Sequence, residues 1–142
     1  MFRVRNMLWH GPDGESIIGK SWLGDGDGMF EHGATTVYRD AMTGRVRFLN
    51  VNENGHIAQG DITMSDDGAV LWDWNQTDDA GTVTRYDARM RFEPENRDRY
   101  RFTLALVQSD GSRMPMVDIW YDRVEEAPER FTQLKSATVT QR

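Results

Sequence analysis

Hydrophobic and polar residues alternate along most of this chain, and short clusters of Gly, Asp, Asn and Pro interrupt the alternation at even spacing. A period of two is typical of β-strands that turn one face to a core and the other to water. The alternating stretches predict nine strands, at residues 2–9, 16–23, 29–39, 45–52, 56–64, 69–76, 82–92, 99–107 and 114–124.

The breaks between these stretches have the chemistry of turns. They read GPDGE, GDGDG, AMTG, ENG, SDDG, DDAG, EPENRD and QSDGSR, and such residues accept the positive or fixed φ that turns need. Links this short join antiparallel neighbours, because a parallel pair needs a crossover of about a dozen residues or more. The sequence therefore predicts an all-β fold, a single antiparallel up-and-down meander of nine strands that closes into a barrel.

The final segment, EEAPERFTQLKSATVTQR, has no such alternation. It predicts either a tail or a short helix from about Ala127, with Pro128 near the first turn and Phe131 and Leu134 as an apolar pair. We therefore expect a barrel over residues 1–124 and a C-terminal tail or short helix over 125–142.

The glycine-rich stretch WLGDGDGMFEH, residues 22–32, raises the question of a nucleotide or calcium site. A dinucleotide fingerprint that starts at Gly24 needs a sixth-position glycine, and Met29 stands there. A calcium loop that uses Asp25 and Asp27 needs a further oxygen ligand at Met29. Both patterns fail, so the stretch predicts a hairpin loop, and we expect no cofactor.

Composition narrows the possible functions. With 142 residues the chain has the size of one domain, and no run approaches the roughly 20 apolar residues of a membrane span. The first residues lack the apolar core of a signal peptide, so we expect a cytoplasmic or already processed protein without a membrane partner. The absence of cysteine excludes disulfides and thiolate chemistry.

The net charge of −6 argues against binding to nucleic acid, because phosphate binding depends on clustered Lys and Arg. Arginines alternate with apolar residues in RVRF, 45–48, and in RMRF, 89–92, which places them on one face of a strand. This pattern indicates either a solvated outer face or, as the alternative, an anion-binding stripe.

The face of each strand that carries ionised groups is assigned to solvent, since an unpaired buried charge is costly. In the last strand we expect Val117, Ile119 and Tyr121 to point inward; a buried Asp118 would instead have a raised pKa suited to a general base. The other side chains that this rule predicts to be interior are Phe30, His32, Ala34, Thr36, Tyr38, Val46, Phe48, Asn50, His56, Ala58, Ile62, Trp72, Trp74, Gln76, Tyr86, Ala88, Met90, Phe92, Tyr100, Phe102, Leu104 and Leu106.

An aromatic interior with a few polar groups is typical of a small-molecule pocket, although the same residues can simply plug a small barrel. Zinc bound by His10, His32 and His56 is a further alternative, but no short ligand spacing supports it, and we expect no metal site. The predicted ligand-binding residues are His32, Tyr38, Phe48, Asn50, His56, Trp72, Trp74, Tyr86, Tyr100 and Phe102.

Several turns carry a family resemblance over roughly residues 29–124. They are the hairpin YRDAMTG at 38–44, the Asp-Gly pairs at 67–68 and 110–111, and the strand YDRV at 121–124. With them the chain resembles the calycin, or lipocalin-like, bacterial barrels, in particular the uncharacterised family called domain of unknown function 1579. The resemblance implies a barrel with an internal cavity and no particular activity, because function does not follow from fold.

Three functions follow as hypotheses. The first is binding of a small, partly apolar, aromatic ligand in the cavity, oriented by His32 and His56. The second is a metal-independent isomerase, cyclase or decarboxylase that uses one of these histidines with Tyr38 or Tyr86. The third is a structural barrel without ligand that forms a homodimer through an exposed aromatic residue such as Trp22 or Trp120.

Overall fold

A computed structural model describes residues 2–25 and 28–123 of the chain. Every regular element in these ranges is a β-strand, and all nine predicted strands are confirmed with their ends shifted by at most three residues. The predicted C-terminal tail or helix lies outside the described residues. The strands are β1 (Phe2–His10), β2 (Ile17–Asp25), β3 (Phe30–Arg39), β4 (Val46–Asn52), β5 (Ile57–Met64), β6 (Val70–Thr77), β7 (Val83–Glu93), β8 (Asn96–Val107) and β9 (Arg113–Asp122).

The nine strands form one sheet in which spatial order equals chain order, and each strand is antiparallel to its neighbours. The predicted up-and-down meander is therefore confirmed. The sheet curls into a half-barrel, and within the described residues β1 and β9 do not pair with each other. Within residues 2–25 and 28–123, the curl is therefore not closed by pairing of the edge strands β1 and β9.

The turns follow from the sequence chemistry. In the β3–β4 turn, Oδ1 of Asp40 accepts hydrogen bonds from the backbone N–H groups of Met42 and Thr43 at 2.9 and 3.1 Å. Gly44 closes this turn with a φ of 70°, a conformation that a side chain disfavours. Throughout the described ranges, glycine is the only residue with positive φ, so the backbone is unstrained at its turns.

Register decides which side chains share a face. Phe48 lies opposite Val37 on one side and Gly60 on the other, and Gly60 lies opposite Trp74. We call the face that contains them the concave face, and its opposite the outer face. The concave face comprises Thr35, Val37, Val46, Phe48, Asn50, Ala58, Ile62, Val70, Trp72, Trp74, Gln76, Thr84, Tyr86, Ala88, Met90, Phe92, Tyr100, Phe102, Leu104, Leu106, Val117, Ile119 and Tyr121.

The centre of the concave face is the best-buried part of the sheet. Phe48, Ala58 and Ala88 are 4, 5 and 6 % exposed. Gly60 lies between Phe48 and Trp74 in the ladder, and a Cβ at Gly60 would come within 2.6 Å of the Trp74 Cβ atom. The missing side chain therefore permits β6 to approach closely at Asp73 and Trp74.

The prediction for β3 is wrong from His32 onward. It placed His32, Ala34, Thr36 and Tyr38 on the concave face, but Thr35 and Val37 pair with Asn50 and Phe48 and occupy that position. The cause is a β-bulge, because Ser21 pairs with Gly33 and Trp22 with Glu31, which leaves His32 as an extra residue. A bulge shifts the alternation by one residue, so the even-numbered side chains after it turn to the outer face.

The expected orientation of β9 is confirmed, since Val117, Ile119 and Tyr121 pair with concave residues of β8. Asp118 points to the outer face, where Arg101 donates to its Oδ1 at 2.8 Å. That hydrogen bond and the charge of Arg101 outweigh desolvation and lower the pKa of the Asp118 carboxyl. Asp118 is therefore an outer-face ion-pair partner, and the alternative of a buried general base is wrong.

Candidate functional site

Aromatic rings make a continuous cluster at the middle of the concave face. The ring of Phe48 meets Trp72 edge to face at a centroid distance of 5.0 Å, and Trp74 at 5.8 Å. Trp74 in turn stacks on Tyr86 at 5.6 Å with an interplanar angle of 25°. These geometries are the ones that aromatic quadrupoles favour, so the rings hold one another in defined orientations.

A second aromatic cluster lies where β7, β8 and β9 run together. Tyr100 stacks on Tyr121 at 4.9 Å with an interplanar angle of 18°. Phe92 packs against Tyr100 at 5.5 Å, and Phe102 meets Tyr121 edge to face at 6.2 Å. The sequence prediction included Tyr100 and Phe102 in the site but omitted Tyr121.

Asn6 of β1 reaches this second cluster from the far edge of the sheet. Burial raises the pKa of Tyr100, and a hydrogen bond with Asn6 opposes the rise. Burial, then the neighbouring Tyr100, raises the pKa of Tyr121 to about 12, again against a hydrogen bond with Asn6. Ser21 donates its hydroxyl to Oδ1 of Asn6 at 2.8 Å. Because β1 lies at the opposite end of the strand order from β9, these contacts require the sheet to curl toward the concave face.

The concave face is only partly covered. Trp72, Trp74, Tyr86 and Phe102 are all of intermediate exposure, and no large side chain among the described residues is completely buried. Accessible aromatic surface in a concave setting is typical of a ligand site. The predicted members of this site that the structure brings together are Phe48, Asn50, Trp72, Trp74, Tyr86, Tyr100 and Phe102.

Trp72 supplies an unusual polar group. Its Nε1 atom is buried and has no hydrogen-bond partner within the part of the chain that the structure describes. An indole N–H can only donate, and a buried donor without an acceptor costs roughly 1–3 kcal/mol. By contrast, Asn50 donates its side-chain amide to Oγ1 of Thr35 at 2.7 Å and is satisfied. Among the described residues, Trp72 thus supplies a buried donor on this face that lacks an acceptor.

The predicted histidines lie at one end of β3, β4 and β5 rather than among the aromatic rings. Nδ1 of His32, the bulge residue, is 2.6 Å from Oε2 of Glu53. Desolvation would raise the pKa of the Glu53 carboxyl, but hydrogen bonds from its own backbone and from His32, with the charges of His32 and His56, lower it. Glu53 thus lies within electrostatic reach of both histidines, a relationship that strand alternation did not predict.

No metal site accompanies these histidines. Across residues 2–25 and 28–123, no group of three or more His, Asp or Glu side chains is placed to hold a metal ion. The alternative in which His10, His32 and His56 bind zinc therefore has no geometric support.

The outer face carries the arginines of both sequence motifs, each paired with an aspartate. Arg45 and Arg47 both contact Asp61, the latter through Nε at 3.2 Å. Arg89 and Arg91 both contact Asp67, the latter at 3.6 Å. The two arginines of each motif share one aspartate at the surface, which agrees with a solvated outer face, and anion binding stays a prediction.

No family model, no curated protein and no solved structure matches this chain. Within the described residues, no helix is long and apolar enough to cross a lipid bilayer. The fold and the site are therefore interpreted from their own geometry.

Sequence reasoning missed Asn6, Ser21 and Tyr121 as parts of the site. The strand pattern places Tyr121 on the concave face opposite Tyr100, and this placement is the signal that could have included Tyr121 in the site. Asn6 and Ser21 lie in the first two strands, and only the curvature of the whole sheet brings them close to β8 and β9.

Proposed function

We propose that this protein binds a small, partly apolar ligand on the concave face, against the rings of Phe48, Trp72, Trp74 and Tyr86. The observation that carries the proposal is an aromatic surface of intermediate exposure that contains a buried indole N–H with no acceptor in the described part of the chain. A ligand that covers these rings removes apolar area from water, worth roughly 25 cal/mol per Å² before the costs of binding.

Binding is better supported than catalysis in the same place. A general acid or base must come within hydrogen-bond reach of the reacting atom. Tyr38 lies on the outer face, and His32 is held against Glu53, so neither joins Tyr86 among the aromatic rings. His56 also lies within electrostatic reach of Glu53, so the enzyme hypothesis, which keeps only the combination of a histidine with Tyr86, is the less well supported of the two.

The homodimer hypothesis is weakened for one of its two residues. Trp22 is only 6 % exposed, so it does not offer the predicted interface surface. Trp120 is 49 % exposed and lies under the Arg99 guanidinium at 4.9 Å, so a contact through Trp120 stays a prediction.

We also propose that the chain is related to the calycin-like barrels. An antiparallel meander curled into a half-barrel is compatible with that relationship, as is the turn chemistry of the β3–β4 hairpin. Calycin-like barrels include carriers of apolar ligands, and the binding function proposed here agrees with that role.

Nile red, a neutral apolar dye that fluoresces strongly when removed from water, tests the binding function. We expect a blue-shifted, saturable emission with the wild-type protein. Trp74→Leu should weaken the apparent affinity roughly tenfold, because it removes the stacked ring at the centre of the face. Trp120→Leu, which removes an exposed ring from the outer face, should leave the affinity unchanged. No saturable emission, or an equal loss in both variants, would contradict the proposal.

A further inference from the structure

The chemical class of the ligand can be inferred from the charges that the concave face lacks. We infer that the ligand is electrically neutral and carries a hydrogen-bond acceptor, such as a carbonyl oxygen, that accepts the indole N–H of Trp72. This inference rests on the proposed binding function and specifies its ligand.

Ionised groups are segregated from the candidate site. None of the 23 side chains named above is Asp, Glu, Lys or Arg, and Arg39, which pairs with Val46, is on the same face at the end of β3. Arg39 donates to the backbone carbonyl of Gly44 at 3.0 Å. Asp98 and Arg123 lie beyond the tyrosine pair, are exposed, and contact each other at 3.4 Å. A ligand on the rings of Phe48, Trp72 and Trp74 therefore has uncharged residues as its cross-strand neighbours on this face.

The absence of charge discriminates between ligand classes. An ionised carboxylate or phosphate that enters this face would lose its water without gaining a counter-ion, which is strongly unfavourable. A neutral group pays a much smaller desolvation cost, and a single hydrogen bond is enough to offset it. The face therefore favours neutral ligands over fatty-acid-like or phosphorylated ones.

Trp72 determines the polar feature of that neutral ligand. Its N–H is a donor, so the matching ligand group is an acceptor. Because neighbouring side chains cover Nε1, a ligand reaches it by inserting between the rings, where the hydrogen bond forms away from water. An isolated hydrogen bond is worth more in such surroundings than at the surface.

Three naphthalene probes of similar size test the inference: 2-acetylnaphthalene, 2-ethylnaphthalene and 2-naphthoate at pH 7. The first is a neutral acceptor, the second lacks the acceptor, and the third is ionised. Titration followed by the indole ¹H–¹⁵N resonances of the five tryptophans gives both affinity and the site of contact. We expect the ketone to bind roughly 3- to 10-fold more tightly than the ethyl compound and at least about tenfold more tightly than the carboxylate.

Trp72→Phe should abolish the preference for the ketone over the ethyl compound, and the ketone should move the Trp72 indole proton downfield in the wild type. Trp74→Phe is the matched control, because it weakens both neutral probes while keeping their ratio. The ratio of the affinities for the ketone and the ethyl compound therefore distinguishes the loss of a hydrogen bond from a perturbation of the fold.

Equal affinity for ketone and ethyl compound in the wild type, or for ketone and carboxylate, would overturn the inference. Binding of Nile red without binding of the ketone would overturn the inference and leave the proposed function standing. Failure of both Nile red and the ketone to bind would overturn the proposed function itself.

Discussion

Tyr100 and Tyr121 lie face to face, with ring centroids 4.9 Å apart and planes inclined by 18°. Both hydroxyls interact with the side chain of Asn6, which comes from the first strand of the sheet, whereas the tyrosines come from the last two. Side chains thus link the two ends of a sheet whose terminal strands do not pair within the described residues. Burial raises the pKa of both phenols, so the cluster should be visible in the titration of the tyrosines.

Tyr121 should ionise late, because burial and then the neighbouring Tyr100 raise its pKa to about 12, above the ordinary value of 10. A raised pKa favours the neutral phenol in the folded state. Its contribution to the free energy of unfolding is therefore complete below about pH 10 and is lost as the pH rises toward 12. Absorbance at the phenolate band should show a late step that Tyr121→Phe reduces, with Tyr100, whose pKa burial also raises, contributing the remainder.

Tyr38→Phe is the control for this titration, because Tyr38 lies on the outer face away from Asn6. The late step should persist in that variant. A late step of the same amplitude in Tyr121→Phe as in the wild type, or stability that stays constant between pH 10 and 12, would contradict the burial of this phenol.

Phe48 and Leu49 are chain neighbours on opposite faces of β4, with 4 and 40 % of their surfaces exposed. Phe48→Ala should lower the free energy of unfolding by roughly 3–5 kcal/mol, because it empties the centre of the aromatic cluster. Leu49→Ala should cost about 1 kcal/mol or less, since an exposed side chain loses little on truncation. Urea denaturation measures both. Similar losses in the two variants would mean that the faces of β4 are assigned incorrectly.

Alanine substitutions of Gly60 and Gly19 test how closely neighbouring strands pack at these two positions. Gly60→Ala should destabilise the fold by roughly 1–3 kcal/mol, because its new methyl group would meet the backbone and Cβ of Trp74. Gly19→Ala is the matched control: the nearest atom there is the Cδ2 of Leu8, a 70 % exposed side chain that can move aside. Thermal melting distinguishes them, and a Gly60→Ala protein as stable as Gly19→Ala would exclude tight packing at this position.

The strand order could be predicted from the sequence because both of its determinants are local. Alternation over seven or more residues identifies each strand, and Gly or Asp at the breaks identifies the turns. The concave positions of Trp72, Trp74 and Tyr86 follow from the same rule, since charged neighbours such as Asp73 and Arg85 mark the outer face.

The face of β3 could not be predicted in this way, because one bulge residue reverses the alternation. Glu31 does lie on the outer side, where Lys20 contacts it at 2.9 Å. Beyond His32 the alternation restarts with the opposite phase, so Thr35 and Val37 become concave. Nothing in a polar His-Gly pair distinguishes a bulge from an ordinary strand position.

The link between Asn6 and the tyrosines, and the unpartnered indole of Trp72, also escaped sequence reasoning. The link from Asn6 depends on the curvature that accumulates over eight strand pairs. The burial of the Trp72 Nε1 atom depends on how neighbouring side chains enclose it. Both are properties of the assembled sheet and have no local signature.

The neighbour-by-neighbour pairing of the strands has a consequence for how the chain folds. Each hairpin closes a short loop, so its entropic cost is low and the sheet can grow one strand at a time during synthesis. The contact of Asn6 with Tyr100 and Tyr121 is different, because it joins residues nearly a hundred or more positions apart and forms only after the last strand has docked. We therefore expect the folding chain to acquire the curvature of the sheet last, and the concave face with its aromatic clusters is complete only then.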